Sequence, residues 1–379
     1  MIKVWAVFTI PKTMQAVVYR GANQLQLEIV GVPPVRSDEL LVKVTVCGVC
    51  PTDIKKIHFG TVPPPRIFGH ETAGTIVRVG SRVRGFRAGE RVALHHHVPC
   101  LNCHACWHRA FAQCAQYKRT GITAGFEPAG GGYAEYVRVM SFVLPGVVKI
   151  PGRNSFLEGA MLEPVNTVLK AVNRLTLLRG DTVLVAGQGP IGLMFTRLLA
   201  LRGMKILATD LFESRLGLSR SLGAKFTFQV RTKSVPQKST IRSLTTSDTP
   251  ALSEVVEKVT AGKGLDAAVI AVPSDAVMRE AQELVRGAGQ VLLFSHTKRG
   301  DAASLDLAAI CVDEKDLIGS YSADFTLQSE VARLVFSRKL DTRQLITHQF
   351  PLEQTAAAVQ QTAHPSETSL KVVVNQQLL

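Results

Sequence analysis

Four cysteines lie within fifteen residues of the chain in a pattern that is typical of a closed metal site. The pattern is C-x2-C-x2-C-x7-C, formed by Cys100, Cys103, Cys106 and Cys114. Four thiolates around tetrahedral Zn²⁺ leave no position for water or substrate, so such a site organises a loop and performs no chemistry. Two disulfides are the alternative, but cysteines three apart would need strained geometry to bridge, and nothing else indicates export. The spacing therefore predicts a structural zinc site.

A second group of possible metal ligands lies upstream of this run. Cys47 and Cys50 are followed, twenty residues after Cys50, by the pair His70-Glu71. Cysteine, histidine and carboxylate can converge as three zinc ligands and leave one position open for substrate, which is the arrangement of a catalytic site. Glu163 is a further candidate carboxylate. Spacing alone leaves two alternatives open, because the two cysteines could bind a metal as a pair, or Cys47 could simply be buried.

The chain also carries a G-x-G-x-x-G motif between a strand pattern and a helix pattern. The motif follows the run TVLVA, opens the run IGLMFTRLLALRG, and consists of Gly187, Gln188, Gly189, Pro190, Ile191 and Gly192. In this context the glycines permit a tight turn and a close approach of the backbone to a pyrophosphate, which the helix N-terminus attracts. The motif therefore predicts a dinucleotide site.

An acidic residue after the next strand pattern bears on which dinucleotide binds. Asp210 ends the run KILATD, eighteen residues after Gly192. A carboxylate there suits two ribose hydroxyls and repels a 2′-phosphate, so the sequence favours NAD over NADP. Arg215, one helical turn further on, is placed to reach the adenosine ribose or a phosphate. A glycine-rich turn without a ligand is the alternative, and the combination of strand, helix and acid argues against it.

Two kinds of pattern position these residues and predict an α/β protein with two domains. Up to about residue 150, short β-branched runs broken by Gly and Pro predict a β-rich, barrel-like domain. From about Thr167, strands alternate with helices, which predicts a parallel sheet with crossover helices. After about residue 306, VARLVFSRKL predicts a helix and SLKVVVN predicts a closing strand.

Together, these residues resemble the zinc-dependent medium-chain dehydrogenase/reductase superfamily, and within it the polyol and sorbitol dehydrogenase-like branch. The resemblance begins at Met14 and rests on C-G-V-C-x-T-D, G-H-E, the four-cysteine run, G-G-Y-A-E-Y, the E-P pair and the glycine motif, in that order. It implies a GroES-like β-barrel catalytic domain at 1–166, completed by 306–379, and a Rossmann doubly wound parallel-sheet domain that binds NAD at 167–305. It also implies a homodimer or homotetramer.

The resemblance further implies a ligand set for a catalytic zinc, in addition to the structural one. Cys50 and His70 match two of its protein ligands, whereas Cys47 matches none. The third protein ligand falls at Glu71 or Glu163, and the resemblance leaves an exchange of the two around the metal open.

The implied chemistry is the oxidation of an alcohol. Zn²⁺ lowers the pKa of a bound alcohol, so a zinc-stabilised alkoxide forms near neutral pH. Thr52 would take the hydroxyl proton, and Asp53 would fix the tautomer of the His70 ring by accepting its hydrogen bond. The alkoxide then gives its carbon-bound hydride to the nicotinamide. We expect a secondary alcohol of a polyol, sugar or related compound as substrate, and a ketone as product. A threonine 3-dehydrogenase-like enzyme or a simple alcohol dehydrogenase is the alternative.

Three consecutive histidines, at 95–97, invite a further metal interpretation. Consecutive side chains on a strand point to opposite faces, so all three cannot bind one ion. Alignment to the cysteine run instead places His96 on the wall of the substrate pocket, where an imidazole favours a hydroxylated substrate. A merely structural histidine is the alternative.

Composition narrows the class of protein. The net charge of +14 and the cysteines would suit a basic zinc-binding nucleic-acid module, but Lys and Arg are scattered and aromatic residues make up only 6%. Such a module would also leave Asp210 and the glycine motif unexplained. The chain shows neither an apolar run of membrane-spanning length nor an export signal, so we expect a cytoplasmic enzyme with a small-molecule substrate and neither nucleic acid nor membrane as partner. The Ser/Thr-rich stretch at 231–250 predicts a surface insertion.

Overall fold

The computed structural model describes residues 8–95, 98–120, 130–230, 251–295, 300 and 302–378, with the backbone alone at 118–120. The chain forms two compact units, one made of Met1–Lys170 and Ser322–Leu379 and the other of Ala171–Tyr321. In this described part, every helix is too short or too polar to cross a lipid bilayer. The predicted pocket residue His96 and the predicted insertion at 231–250 lie outside the described residues.

Sixteen strands alternate with helices along the described chain. The strands are β1 Thr13–Gly21, β2 Gln24–Gly31, β3 Leu40–Gly48, β4 Arg66–Ile67, β5 Glu71–Val79, β6 Arg91–Ala93, β7 Tyr136–Val139, β8 Val148–Lys149, β9 Thr182–Ala186, β10 Lys205–Asp210, β11 Phe226–Gln229, β12 Leu265–Ile270, β13 Val285–Leu293, β14 Asp316–Gly319, β15 Ile346–Phe350 and β16 Lys371–Asn375. The helices are α1 Pro51–Phe59, α2 His104–Trp107, α3 Ala115–Thr120, α4 Phe156–Ala160, α5 Leu162–Val172, α6 Pro190–Leu201, α7 Glu213–Ser221, α8 Leu252–Thr260, α9 Asp275–Leu284, α10 Leu307–Val312, α11 Gln328–Phe336 and α12 Thr355–Ala363.

The first unit is built on two mostly antiparallel sheets around one apolar core. One sheet has the order β2-β1-β4, and the other has the order β15-β16-β3-β5-β6-β8 with β7 also paired to β3. In β3 every residue except Lys43 is buried, because the strand lies in the middle of its sheet. The predicted closing strand is confirmed as β16, which pairs antiparallel with β3 and so joins the C-terminal part of the chain to this unit.

The second unit is a six-stranded parallel sheet with the order β11-β10-β9-β12-β13-β14. Its central strand β9 is buried at all five positions, as expected for a strand covered by helices on both faces. The first crossover helix, α6, buries seven of its twelve residues. The alternation of strands and helices predicted from Thr167 onwards is therefore present.

The compact units divide the chain later than the patterning suggests. The sequence places the return to the first domain at residue 306, whereas the first unit resumes at Ser322. The intervening α10 and β14 stay with the second unit, because β14 pairs in parallel with β13 from Gln290↔Asp316 to Leu293↔Gly319. β14 has only four residues, so periodicity gives little signal for it.

Candidate active site

Cys50 lies at the junction between the central strand β3 and the helix α1. The helix begins at Pro51, where proline is well tolerated because the first helical N–H has no intrahelical partner. Cys50 is the N-cap residue in an extended conformation and makes no side-chain capping hydrogen bond. Its carbonyl accepts the N–H groups of Asp53 and Ile54 at 3.0 and 3.2 Å. The thiol is therefore held at a rigid strand-to-helix turn and is not used for capping.

His70 is oriented by a buried carboxylate of the same helix. The Nδ1 atom of His70 lies 3.1 Å from Oδ1 and 3.0 Å from Oδ2 of Asp53, which is fully buried. Burial acts to raise the Asp53 pKa, but the charge of His70 and its hydrogen bond hold that pKa below its ordinary value. With Nδ1–H donated to Asp53, the Nε2 atom of His70 keeps its lone pair for a metal ion. The hydrogen bond expected between these two residues is present.

The Glu71 carboxylate occupies the space beside Gly48, which has no side chain. Strand pairing sets Gly48 opposite Glu71, and a Cβ atom at Gly48 would lie 1.8 Å from Oε2 of Glu71. Strand β16 pairs on the other side of β3, with Val373 opposite Gly48. The buried ammonium of Lys371, two residues away on β16, contacts the Glu71 carboxylate and donates to the Val49 carbonyl at 3.0 Å. Burial acts to lower the Lys371 pKa, but the charge of Glu71 raises it.

Cys50, His70 and Glu71 converge into one group of metal-ligating atoms. One ligand atom from each residue lies within 4.8 Å of the others. Thiolate, imidazole and carboxylate are the donors that Zn²⁺ takes in proteins, and three protein ligands leave one of four tetrahedral positions free. The orientation of His70 by Asp53 adds the outer hydrogen bond that metal-ligating histidines commonly make. The residues present therefore fit a catalytic zinc ion.

Glu163 lies close to this group without joining it. The residue is in the first turn of α5 and is almost completely buried. Burial raises the pKa of Glu163 to about 7, with His70 opposing the shift and Glu71 adding to it. Of the two glutamates that the sequence left open, Glu71 belongs to the ligand group of the described residues and Glu163 stands beside it.

Cys47 is part of the apolar core. Its thiol is fully buried and lies 3.5 Å from the Thr72 hydroxyl. A Cβ atom at Gly69 or Gly132 would lie 2.7 or 2.5 Å from the Cys47 sulfur, so both glycines leave room for it. Burial raises the Cys47 pKa to about 12, which keeps the thiol protonated. Of the two alternatives that the sequence left open, the structure shows the buried thiol.

Thr52 occupies the second position of α1, two residues after the candidate ligand Cys50. It is half-buried, whereas its neighbour Asp53 is fully buried. A hydroxyl that exchanges a proton with a bound molecule needs this partial access. His58, further along the helix, is exposed and lies 3.2 Å through Nδ1 from the Asn23 side chain.

The four cysteines of the closed motif also converge. One sulfur from each of Cys100, Cys103, Cys106 and Cys114 lies within 4.8 Å of the rest, and all four are free thiols. The Cys106 sulfur lies 3.9 Å from that of Cys100 and 3.5 Å from that of Cys103. Four sulfurs at about 2.3 Å from a tetrahedral ion would be roughly 3.8 Å apart, which matches these separations and not the ~2 Å of a disulfide. The cluster therefore fits a structural zinc ion.

The backbone around this cluster favours the deprotonated form of Cys114. Burial acts to raise the Cys114 pKa, but backbone N–H groups, led by that of Cys100, lower it to about 7. The Cys100 N–H lies 3.4 Å from the Cys114 sulfur. Hydrogen bonds of this kind stabilise the deprotonated form that binds a metal.

The glycine motif forms the turn between β9 and α6. Gly187 has φ of +90°, a conformation that favours glycine, and a Cβ atom at Gly192 would lie 1.7 Å from the Gly187 carbonyl oxygen. The helix begins at Pro190, and its N-cap residue Gly189 has no side chain to cap it. The first N–H groups of α6 are therefore available to an anion such as a pyrophosphate.

Asp210 ends β10 beside this turn. Its Oδ2 atom accepts the Gln188 N–H at 2.6 Å, and its Oδ1 atom accepts the Phe212 N–H at 3.0 Å. The Arg215 guanidinium lies 3.9 Å from Oδ2 of Asp210 and stacks over the Phe212 ring at 4.9 Å. The structure thus brings the predicted acid, the predicted arginine and the glycine turn together within the second unit.

Two residues near these sites were missed by sequence reasoning. Lys371 stands at the start of an apolar closing strand, and a single charge in KVVVN was the only available signal. Gln188 occupies a variable position of the glycine motif, where the pattern carries no information about the side chain.

Family descriptions match both units of the chain. The description "Alcohol dehydrogenase GroES-like domain" matches residues 36–152, and "Zinc-binding dehydrogenase" matches residues 190–337. The chain is 30% identical to an L-idonate 5-dehydrogenase of Vitis vinifera over 348 residues, which cover 88% of this chain and 87% of the relative. It is 29% identical to a sorbitol dehydrogenase of Bombyx mori over 370 residues, or 96% and 98% of the two chains.

Solved structures of similar proteins share the fold. The 2R,3R-butanediol dehydrogenase of Bacillus subtilis superposes with a TM-score of 0.77 at 23% identity and covers 96% of this chain and 99% of its own. The acetophenone reductase of Geotrichum candidum, solved in complex with NAD, superposes with a TM-score of 0.78 at 21% identity, over 98% and 100% of the two chains.

Proposed function

Because the chain belongs to the zinc-dependent medium-chain dehydrogenase/reductase superfamily, in its polyol dehydrogenase branch, we propose that it transfers a hydride between a secondary alcohol of a polyol, sugar or related compound and NAD. One observation carries the proposal. Cys50, His70 and Glu71 form a three-ligand group, and a buried carboxylate orients its histidine. Such a group has a free coordination position, which a structural metal site lacks.

The catalytic ion would be held by Cys50, His70 Nε2 and Glu71. A zinc ion in this place supplies Lewis acidity, which lowers the pKa of an alcohol and polarises a ketone. Asp53 keeps the His70 ring in the tautomer whose Nε2 atom carries the lone pair that a metal ion needs. Lys371, on strand β16 at the other side of β3, holds the carboxylate of Glu71 in place.

Thr52 and Glu163 take part in proton transfer. The Thr52 hydroxyl takes the hydroxyl proton of the alcohol and passes it outward, which its partial exposure permits. Glu163, with its pKa near 7, offers a nearby carboxyl group that exchanges a proton readily at neutral pH. The alcohol carbon loses a hydride and its hydroxyl loses a proton, so a carbonyl product forms while NAD⁺ becomes NADH.

The second unit holds the dinucleotide. Gly187, Gly189 and Gly192 shape the turn, and the backbone N–H groups at the start of α6, those of Ile191 and Gly192, would bind the pyrophosphate. Asp210 accepts the adenosine ribose hydroxyls and disfavours a 2′-phosphate, which supports NAD over NADP. Arg215, 3.9 Å from Asp210, adds a positive charge beside the adenosine ribose, where it could reach the ribose or a phosphate.

The second zinc ion would be held by Cys100, Cys103, Cys106 and Cys114 and would stabilise their loop without taking part in the reaction. Both ligand groups need reduced thiols, which supports a cytoplasmic location.

We also propose that the enzyme is a homodimer or homotetramer. In the described part of the chain, β14 pairs with β13 alone and lies at the edge of the parallel sheet. The neighbouring apolar side chains of Leu307 and Val312 are 73% and 79% exposed, and Leu317 on β14 is 36% exposed. An open strand edge flanked by exposed apolar residues suits pairing with a second copy of the chain.

The test is a panel of polyols, sugars and simple alcohols, with NADH formation followed by its absorbance and zinc measured on the same sample. We expect turnover on a secondary polyol alcohol and about two zinc ions per chain. Cys50→Ser should abolish turnover and retain NADH binding, whereas Cys311→Ser should retain both, because Cys311 is exposed and outside the ligand groups. Full activity in the Cys50 variant would overturn the proposed site.

A further inference from the structure

The side chain of Gln188 is buried inside the glycine turn and links it to its neighbours. Gln188 is fully buried, although it occupies a variable position of the motif. Its Nε2 group donates to the Val185 carbonyl at 2.9 Å, and its Oε1 atom accepts the Thr196 hydroxyl at 2.9 Å. Val185 lies in β9 and Thr196 lies in the second turn of α6. One amide therefore joins the strand, the turn and the helix.

The backbone of the same residue reaches the ribose side of the site. The Gln188 N–H donates to Oδ2 of Asp210 at 2.6 Å. Gln188 thus connects the predicted pyrophosphate turn to the predicted ribose acid through its main chain, and to α6 through its side chain. A shift of this residue would move both halves of the dinucleotide site together.

The Gln188–Thr196 pair is shielded from water, so contact with solvent does not explain why two polar side chains lie there. Thr196, like Gln188, is fully buried, and neighbouring α6 residues Leu193 and Phe195 are buried as well. Replacing both members of a buried hydrogen-bonded pair by apolar groups of similar shape is often nearly neutral for stability. An apolar pair would not fix the relative orientation of the turn and the helix. A satisfied buried hydrogen bond does, because it holds its two groups in one geometry.

We propose that Gln188 and Thr196 are positioning residues for the dinucleotide. Their hydrogen bond fixes the turn against α6, so that the first N–H groups of the helix face the pyrophosphate. The inference rests on the proposed binding of NAD by this turn. The new element is that the hydrogen bond between Gln188 and Thr196, which would not contact the dinucleotide, controls the affinity of the turn for the dinucleotide.

The test compares four variants of the full-length, zinc-loaded enzyme. Thr196→Val removes the hydroxyl at constant shape, Thr196→Ser keeps it, Gln188→Leu removes the amide, and Gln188→Leu with Thr196→Val removes both. Ser219→Ala is the control, because Ser219 is a buried hydroxyl in α7 that donates to Leu216 O and lies in the same unit. NADH affinity is measured by fluorescence titration, and steady-state kinetics and melting temperature are measured on the same samples.

We expect Thr196→Val to weaken NADH binding about fivefold to tenfold, because without this hydrogen bond the turn would occupy its binding-competent conformation only about 10–20% of the time. The KM for NAD should rise while kcat at saturating NAD stays unchanged, because binding is lost equally in the ground and transition states. Thr196→Ser and Ser219→Ala should bind NADH like the unmodified enzyme. The double variant also loses the donation from Gln188 to the Val185 carbonyl, so we expect it to melt a few degrees below the unmodified enzyme and to bind NADH at least about tenfold more weakly.

Two results would overturn the inference. One is a Thr196→Val variant with unchanged NADH affinity. The other is a double variant that regains affinity together with stability, since that would make the pair purely structural. If the unmodified enzyme bound no NADH, the proposed function itself would fail, which this titration distinguishes from a failure of the positioning role.

Discussion

Replacing Lys371 by methionine tests how the closing strand supports the active site. The Lys371 ammonium is 7% exposed and pairs with the Glu71 carboxylate, which is 2% exposed. Methionine keeps most of the side-chain volume but leaves the Glu71 charge buried without its cation. Lys371 also donates a hydrogen bond to the Val49 carbonyl, and this bond is lost as well.

Removing one partner of a buried ion pair costs about 3–5 kcal/mol, because an uncompensated charge stays in the interior. A domain of this size loses about 2–4 °C of melting temperature per kcal/mol, so the zinc-free variant should melt roughly 10 °C lower. Zinc should narrow this difference, because a divalent cation bound by Glu71 replaces the lost ammonium charge. By linkage, the variant should then bind zinc more tightly than the unmodified enzyme.

The assay is thermal unfolding of both proteins, each chelated and zinc-loaded, together with zinc titration against a competing chelator. Lys149→Met is the matched control, since Lys149 pairs with Glu90 at 2.7 Å with its side chain 50% exposed. Exposed pairs contribute about 0–1 kcal/mol, so this control should shift the transition little. The double variant Lys371→Met with Glu71→Gln should recover most of the lost stability. A zinc-free Lys371 variant that melts like the Lys149 control would refute the reasoning.

Four further changes test the remaining parts of the site. Asp53→Asn should weaken zinc binding by roughly 10–100-fold, because the amide holds the other tautomer of His70; an unchanged chelator competition would contradict this. Cys103→Ser should reduce the zinc content from two ions to one and lower the melting temperature while NADH still binds, as metal analysis and fluorescence titration would show. Asp210→Ser should narrow the preference for NAD, measured as the ratio of kcat/KM for NAD and NADP; if the unmodified enzyme already prefers NADP, the ribose argument is wrong. Leu317→Lys should shift the mass in light scattering towards the monomer, and an unchanged mass would place the subunit contact elsewhere.

The sequence was sufficient wherever a function depends on neighbours along the chain. The glycine turn, its flanking strand and helix, and Asp210 lie within 29 residues, from Thr182 to Asp210, and the cysteines of the closed site lie within fifteen. Local spacing constrains such groups strongly, because a turn or a short loop leaves few arrangements. The β-rich first domain, the parallel sheet and the closing strand were predictable for a related reason, since hydrophobic periodicity records which face of an element is buried.

The active site needed the tertiary structure, because its parts come from strands that are distant in sequence. Strand register sets Glu71 and Val373 on either side of Gly48, and this pairing brings Lys371 to the carboxylate. No local pattern encodes a register between residues some 300 positions apart. The same reason explains why the sequence left open whether Glu71 or Glu163 is the third ligand, whereas in the described part of the chain Glu71 lies with Cys50 and His70 in a group that could hold a metal ion.

What the sequence determined by itself was the chemistry available: thiols, imidazole, carboxylates and a phosphate-binding turn at recognisable spacings. What only the tertiary structure decided was which of these groups meet, which thiol is buried, and which side chains hold the others in place. Cys47 and Cys50 are three residues apart and chemically identical, yet one is a core thiol and the other belongs to the group that could hold a metal ion. The difference arises because β3 ends between the two residues. Cys47 lies in the strand with its side chain in the core, whereas Cys50 is the N-cap residue of the helix that carries Thr52 and Asp53.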